Sequence, residues 1–301
     1  MKTKKDIMFG CLCAVGCESL FGLSYIFTKN ATETTSVFAL LGWRFLIALI
    51  SMSICAVTGL IKIHLRRRNI LPLISIALCS PIIYYIGETF GIKLTTASES
   101  GTFLACIPVA SVVASTLILR KKPTKCQVTG IIITLMGVLI TVFAAGGSTS
   151  FSMIGYGALF LAVIGYALYS VFVEKAKEYS GAEVTFIMLA LGATVFSVCA
   201  ITEGLFEGSI DTLLLLPFTD RWFLITVLYE GIVCSVLATS LSNIAISKIG
   251  VNRASSFLGI ATVVSILSGI LILHEDFSLL QLLGAFVIIS GVYTANARKI
   301  K

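Results

Sequence analysis

Four charged residues stand inside stretches that are otherwise apolar: Glu18, Arg44, Glu88 and Glu230. A charge held in hydrocarbon is costly, so each marks a substrate contact, a proton relay or a buried ion pair. Glu18 is eleven residues from either end of the apolar stretch 7–29. At about 1.5 Å of helical rise per residue it lies about 16 Å deep, near the middle of a bilayer. A carboxyl at that depth suits proton exchange or contact with a cationic substrate group, and it equally suits a protonated side chain that only packs. Arg44, Glu88 and Glu230 lie five to eight residues from one end of their own stretches, all within about 12 Å of the same surface. One guanidinium and two carboxylates at similar depth predict an ion pair of Arg44 with either Glu88 or Glu230 and leave one carboxylate over. A purely structural pair, or side chains that reach for the interface, accounts for the same three residues.

Tyr25, Tyr84, Tyr85, Pro108 and Tyr229 share these stretches and are candidates to line a cavity. Aromatic residues in such helices also serve packing or the interfacial belt. Pro81 and Pro108 each free a backbone carbonyl and favour a kink. Lys93 and Glu99 flank a short turn and read as solvated, while Glu275 and Asp276 fall at the end of an apolar stretch. Other chemistries find few residues. The nine Cys include no Cys-x-x-Cys pair and there are two His, so neither a metal site nor a redox centre is expected, and no cofactor. The thiols read as small apolar residues kept reduced. No Gly-x-x-x-x-Gly-Lys-Ser/Thr loop occurs, so the chain brings no ATPase of its own. No His-Glu-x-x-His, Gly-x-Gly-Asp or Asp-rich pyrophosphate motif points to an intramembrane enzyme, and none is expected.

The elements that would hold these residues are membrane helices. Of the 301 residues 57% are hydrophobic and 12% charged, and the mean hydropathy is +1.01. Soluble domains carry about 45–50% apolar and about 25% charged residues. Ten stretches have the roughly 20 apolar residues that a crossing needs: 7–29, 36–60, 71–93, 99–119, 125–145, 153–174, 183–203, 222–247, 254–273 and 278–297. Lys2, Lys4 and Lys5 precede the first as in a signal peptide, but no Ala-x-Ala site follows, so it reads as a retained helix. The longest connection runs from Glu203 to Arg221.

The net charge of +7 suggests no nucleic-acid partner, because the basic residues alternate between loops. Eighteen of the 22 Lys and Arg fall in the terminal segments and in the loops around Arg66–Arg68, Arg120–Lys125, Lys175–Lys177 and Lys248–Arg253. The excess of positive charge on cytoplasmic loops puts both termini in the cytoplasm.

Residues 103–138 and 257–292 align without a gap, with eleven identities in 36 positions at an offset of 154. Among them are Phe103-Leu104 with Phe257-Leu258, Gln127 with Gln281, Gly130 with Gly284 and Gly137-Val138 with Gly291-Val292. Gly10 and Phe27 match Gly155 and Phe172 at a slightly different offset. Five crossings per half is an odd number, so the second half runs opposite to the first. The expected fold is all-α and polytopic: ten transmembrane helices as two inverted five-helix repeats, 7–145 and 153–297, with a substrate site between them. Gly87-x-x-x-Gly91, Ser255-x-x-x-Gly259 and Ser265-x-x-x-Gly269 allow close helix approach.

With these features the chain resembles the EamA family of drug/metabolite transporters over nearly all its length. The resemblance rests on Phe21-Gly22-x-Ser24, Arg44, Leu104-x-x-x-Pro108-Val109, Gln127-x-x-Gly130, Tyr166-Ala167, Leu273-His-Glu275, Gln281-x-x-Gly284 and Gly291-Val292. The chain departs from the family pattern at Arg120-Lys121-Lys122, where Gly-Glu is common, at Thr262, where Pro is common, and at Phe21 and Tyr166, where Trp is common. The resemblance implies secondary-active transport of small metabolites by alternating access, often export of amino acids or amphipathic compounds, with proton coupling as one option. It implies a cavity lined by the first four helices of each repeat. The expected partners are a small-molecule substrate and the lipid bilayer, with a homodimer left open, and the expected location is a bacterial plasma membrane. A nucleotide-sugar or sugar-phosphate carrier shares the architecture, but phosphates call for several deep basic residues and Arg44 stands alone. An intramembrane enzyme is the reading from another class.

Overall fold

Where no water can serve the backbone, every N–H and C=O must be satisfied within the chain, and long apolar segments therefore become helices. The computed structural model describes residues 4–61, 63, 69–120, 124–145, 152–254 and 257–296, and they are overwhelmingly helical. The main helices are α1 (Lys4–Thr34), α2 (Val37–Val57), α3 (Leu71–Leu94), α4 (Ala97–Ile118) and α5 (Lys125–Ala145). They continue with α6 (Met153–Lys175), α7 (Gly181–Glu207), α8 (Arg221–Ile249), α9 (Leu258–Ile272) and α10 (Leu279–Asn296). Seven helices among the described residues, α1–α4 and α6–α8, are long and apolar enough to cross a membrane; α5, α9 and α10 contribute shorter apolar runs. Lys2, Arg66–Arg68, Lys121, Lys122, Ser255, Arg298, Lys299 and Lys301, which include much of the charge pattern, lie outside the described residues.

The local sequence sets where the helices begin. Ser36 caps α2 by accepting from the Ala39 N–H, and Ser152 caps α6 through Gly155. Thr96 with Glu99, and Ser180 with Glu183, form reciprocal capping boxes at the starts of α4 and α7. Asp220 accepts from the N–H groups of Trp222 and Phe223 to start α8. The stretch between Glu203 and Arg221 is not an open loop. Helix α7 runs on to Glu207, and a further short helix covers Ile210–Thr219, whose Leu213 carbonyl accepts from Trp43 Nε1 at 2.9 Å.

The helices pair in a pattern that exchanging the two halves leaves unchanged. Helix α1 packs along α8 and α9, while α6 packs along α3 and α4; α2 lies on α7 and α5 on α10. Gly10 of α1 meets Lys248 and Ile249 at the end of α8, and Gly155 of α6 meets Leu94 and Thr95 at the end of α3. A Cβ at either glycine would come within 2.7 Å of Ile249 or 2.8 Å of Thr95, so both contacts need the missing side chain. Arg120 and His274, 154 positions apart, end α4 and α9 with the same left-handed φ of 53°. The interior, where Phe45, Phe196, Leu159, Ala162 and Tyr169 are buried, lies between α1–α4 and α6–α8.

Two helices are irregular at mid-length. Helix α3 is kinked at Ser80–Pro81, where Ser80 leaves helical geometry (φ −146°, ψ 118°), and α8 widens to π-helical turns over Tyr229–Ala238. Such turns re-aim side chains and recur at functional sites. Helix α4 breaks at Ala105–Cys106 and restarts at Ile107. Pro108 therefore occupies a first helical turn, where its missing N–H leaves no bond unmade.

Candidate functional site

The widened turns of α8 present Glu230, and α2 presents Arg44 against it. Arg44 Nη1 donates to Glu230 Oε2 at 3.1 Å, with both residues within 1% of complete burial. Arg44 Nε donates to Ser235 Oγ at 2.9 Å, and Ser235 in turn donates to the Glu230 carbonyl at 2.7 Å. Thr28 of α1 donates to the other Glu230 oxygen at 2.5 Å. The guanidinium stands 4.3 Å from the centre of the Tyr85 ring, a distance at which the ring's negative face attracts a cation. Among the described residues Arg44 Nη2 has no hydrogen-bond partner. Of the two carboxylates that the sequence offers Arg44, Glu230 takes the contact.

Glu88 instead faces tyrosines. Tyr84, one turn earlier on α3, donates to Glu88 Oε1. Tyr25 of α1 lies beside Tyr84, close enough to feel the charge of both Glu88 and Glu18. The rings form a continuous edge-to-face series: Tyr84–Tyr85 at 4.9 Å, Tyr84–Tyr166 at 5.3 Å and Tyr166–Tyr169 at 5.2 Å. This aromatic wall joins the Arg44 end of the cluster to Glu18.

Glu18 is 3% exposed. Its Oε1 accepts a long contact of 3.7 Å from the Cys17 thiol, and its Oε2 has no partner among the described residues. Around it run polar groups that lead toward the start of α7. Tyr166 OH and Ser242 Oγ are 3.3 Å apart, Tyr169 OH donates to Asn243 Oδ1 at 2.6 Å, and Asn243 Nδ2 donates to Thr185 Oγ1 at 2.8 Å. A buried carboxyl with an open oxygen is a ready acceptor for a proton or for an ammonium group, because the bond it lacks is the one a ligand would supply.

The remaining candidates fall elsewhere. Tyr229 stacks on Phe27 at 4.5 Å and donates to the Leu20 carbonyl at 2.8 Å, so it fastens α8 to α1. Pro108 serves the restart of α4. Apolar hollows of about 460 Å³ beside Leu49 and Ile54, and of about 130 Å³ beside Val112 and Val128, open on the bundle surface and hold none of the carboxylates. Among the described residues no group of three or more His, Cys, Asp or Glu could hold a metal ion.

The sequence reading missed Thr28, Ser235, Tyr169, Asn243 and Thr185 as parts of the cluster. A lone Asn inside an apolar run was the one signal available for Asn243, since an amide in a membrane helix seeks a partner helix. It also misplaced Glu99, which is 1% exposed rather than solvated. Glu99 completes the α4 capping box and accepts from Gln281 Nε2 at 2.9 Å.

Comparison with known proteins follows the same lines. The EamA-like transporter family matches residues 8–143 and again 153–297. The transporter YcxC of Bacillus subtilis (strain 168) is 29% identical over 279 residues, covering 92% of this chain and 89% of its own. The transporter YetK of the same organism is 27% identical over 290 residues, covering 93% and 84%. A solved crystal structure superposes with a TM-score of 0.66 at 18% identity over 97% of this chain and 95% of its own, a likeness of fold.

Proposed function

The chain belongs to the EamA-like transporter family and is a multi-pass membrane protein, and on that premise we propose a secondary-active exporter of small metabolites, amino acids or amphipathic compounds among them. In this reading ten helices cross a bacterial plasma membrane, three of them the shorter α5, α9 and α10. Both termini are cytoplasmic, and residues 7–145 and 153–297 are inverted repeats that alternate access to a site between them. The family's double match and the pairing pattern that survives exchange of the halves support the repeats. The basic loops support the orientation. The end of the bundle where α3 meets α4 at Thr95 is then outside, and the end at Gly250 is inside.

The single observation that carries the reading is Glu18, buried at 3% exposure with one oxygen unbonded among the described residues. A transporter needs a group that exchanges its partner with each cycle. Glu230 is committed to Arg44 and Thr28, whereas Glu18 is open to a proton or to a cationic substrate group. The commitment of Arg44 to Glu230 also tells against a phosphate-bearing substrate, which would need that cation and more. The test is transport in proteoliposomes under an imposed pH gradient, comparing wild type with Glu18→Gln. Gln keeps the shape and cannot ionise. The variant is expected to lose at least about tenfold in proton-driven flux, the worth of one charge-assisted contact. Wild-type flux with an unchanged pH profile would reduce Glu18 to packing.

A further inference from the structure

The segment between α7 and α8 turns apolar side chains away from the bundle. Gly208 closes α7 in the left-handed region, with φ 65°, and the Ser209 N–H bonds back to the Gly204 carbonyl at 2.8 Å. The short helix Ile210–Thr219 follows directly. Pro217 inside it has no N–H, so the Leu213 carbonyl, four residues earlier, lacks its helical partner. Trp43 Nε1 of α2 supplies the missing bond at 2.9 Å. Leu216 packs with Trp43 and Ile47 on the buried group Ala31, Leu40, Phe223 and Val227. The short helix is thus fastened to the bundle, and the direction of its other side chains is fixed. Ser36, at the start of α2, donates to Glu203 of α7, and Lys93 Nζ donates to the Thr35 carbonyl at 3.4 Å. These bonds put the segment at the Thr95 end.

Three arcs run along the short helix at about 100° per residue. Ile210, Leu213 and Pro217 share the arc toward the bundle, with Pro217 buried and the other two half-buried. Leu214, Leu215 and Phe218 share the next arc and are exposed, Phe218 at 81%. Thr212 and Thr219 share the third and are exposed as well. Asp211 stands among the apolar residues in the first turn, where a helix N-terminus favours a carboxylate.

The apolar arc continues on both sides. The last turn of α7 exposes Leu205 and Phe206, Phe206 at 88%, and the first turn of α8 exposes Trp222. Deeper on the same two helices Val198 and Ile232 are exposed, on surfaces that lipid covers in a membrane protein. Helix α7 has 27 residues, so it is about 40 Å long against a hydrocarbon core of about 30 Å. Its last turns therefore lie at the boundary of the core. Glu203, Glu207, Asp211, Asp220 and Arg221 are interspersed with the apolar side chains. That mixture suits the depth at which acyl chains give way to headgroups, where amphipathic helices lie flat and Trp is favoured.

We propose, independently of what Glu18 carries, that the short helix Ile210–Thr219 is a lipid-binding element lying in the plane of the membrane at the Thr95 end. Leu214, Leu215 and Phe218, continued by Phe206 and Trp222, enter the acyl chains of that leaflet, and Thr212 and Thr219 face water. Four of the five interspersed charges are acidic, so the apolar side chains, and not attraction to phosphate, make the contact. Through Trp43 the lipid-held helix is joined to α2 one residue before Arg44.

The test is power-saturation electron paramagnetic resonance on the full chain in phosphatidylcholine nanodiscs. A ketone-bearing amino acid is placed singly at Leu214, Leu215, Phe218 or Thr212 and coupled to a hydroxylamine nitroxide, which leaves the nine native Cys in place. Val198 of α7 is the lipid reference. All five positions are exposed, and a variant that fails to fold is replaced by its neighbours on the same arc. At Leu214, Leu215 and Phe218, collisions with oxygen should exceed those with a neutral, water-soluble nickel chelate, as at Val198, and the ratio should fall severalfold at Thr212. Nickel collisions as frequent on the apolar arc as at Thr212 would mean that water covers it, and would overturn the proposal. Infrequent collisions with both reagents there would mean that protein, such as a second copy of the chain, covers it, and would overturn the proposal equally.

Discussion

Glu230 and Glu18 are two glutamates of nearly equal burial, 0% and 3% exposed, with opposite surroundings. Both oxygens of Glu230 are occupied, one by Thr28 and one by Arg44, and its own backbone carbonyl anchors the Ser235 that steadies the guanidinium. Among the described residues Glu18 has a weak thiol contact on one oxygen and nothing on the other. The same side chain at similar burial thus serves as a rivet in one place and an open acceptor in the other. Depth in the membrane marks both as costly, but only the count of satisfied bonds tells which is structural.

The largest effect should come from breaking the rivet. Arg44→Ala leaves Glu230 buried without its cation, and thermal unfolding in detergent should show a loss of about 3–5 kcal/mol. Replacing both partners with Leu should recover most of it, since a buried pair is often matched by well-packed apolar residues. A single variant as stable as wild type would remove the contrast between the two glutamates. Next in size is Thr28→Val, which takes one donor from the Glu230 carboxylate and should cost about 1.5–3 kcal/mol in the same melt. The smallest effect on stability belongs to Glu18→Gln, which should melt within ~1 kcal/mol of wild type because no bond of weight is lost. That near-neutrality, set beside the transport loss expected of the same variant, would sharpen the comparison. A large destabilisation would move Glu18 into the structural class with Glu230.

The sequence by itself determined that this chain lies in a membrane, that its two halves are related, and that four charges sit at depths where each must be explained. These are properties of windows of neighbouring residues, because apolar content, helical rise and the alternation of Lys and Arg are all read along the chain. It determined that Arg44 needs a carboxylate, but Glu88 and Glu230 had equal claims from depth alone. Tertiary structure decided for Glu230, because the choice depends on how α2, α3 and α8 rotate about their own axes and on the widened turns of α8 that swing Glu230 toward α2. It also withdrew Glu99 from solvent by laying Gln281, 182 positions away, against it. It decided that Glu275, placed by the sequence only at the end of a stretch, reaches the first turn of α4 across 178 positions. Partners so far apart are chosen by which helices become neighbours and at what rotation, and no local window carries that information.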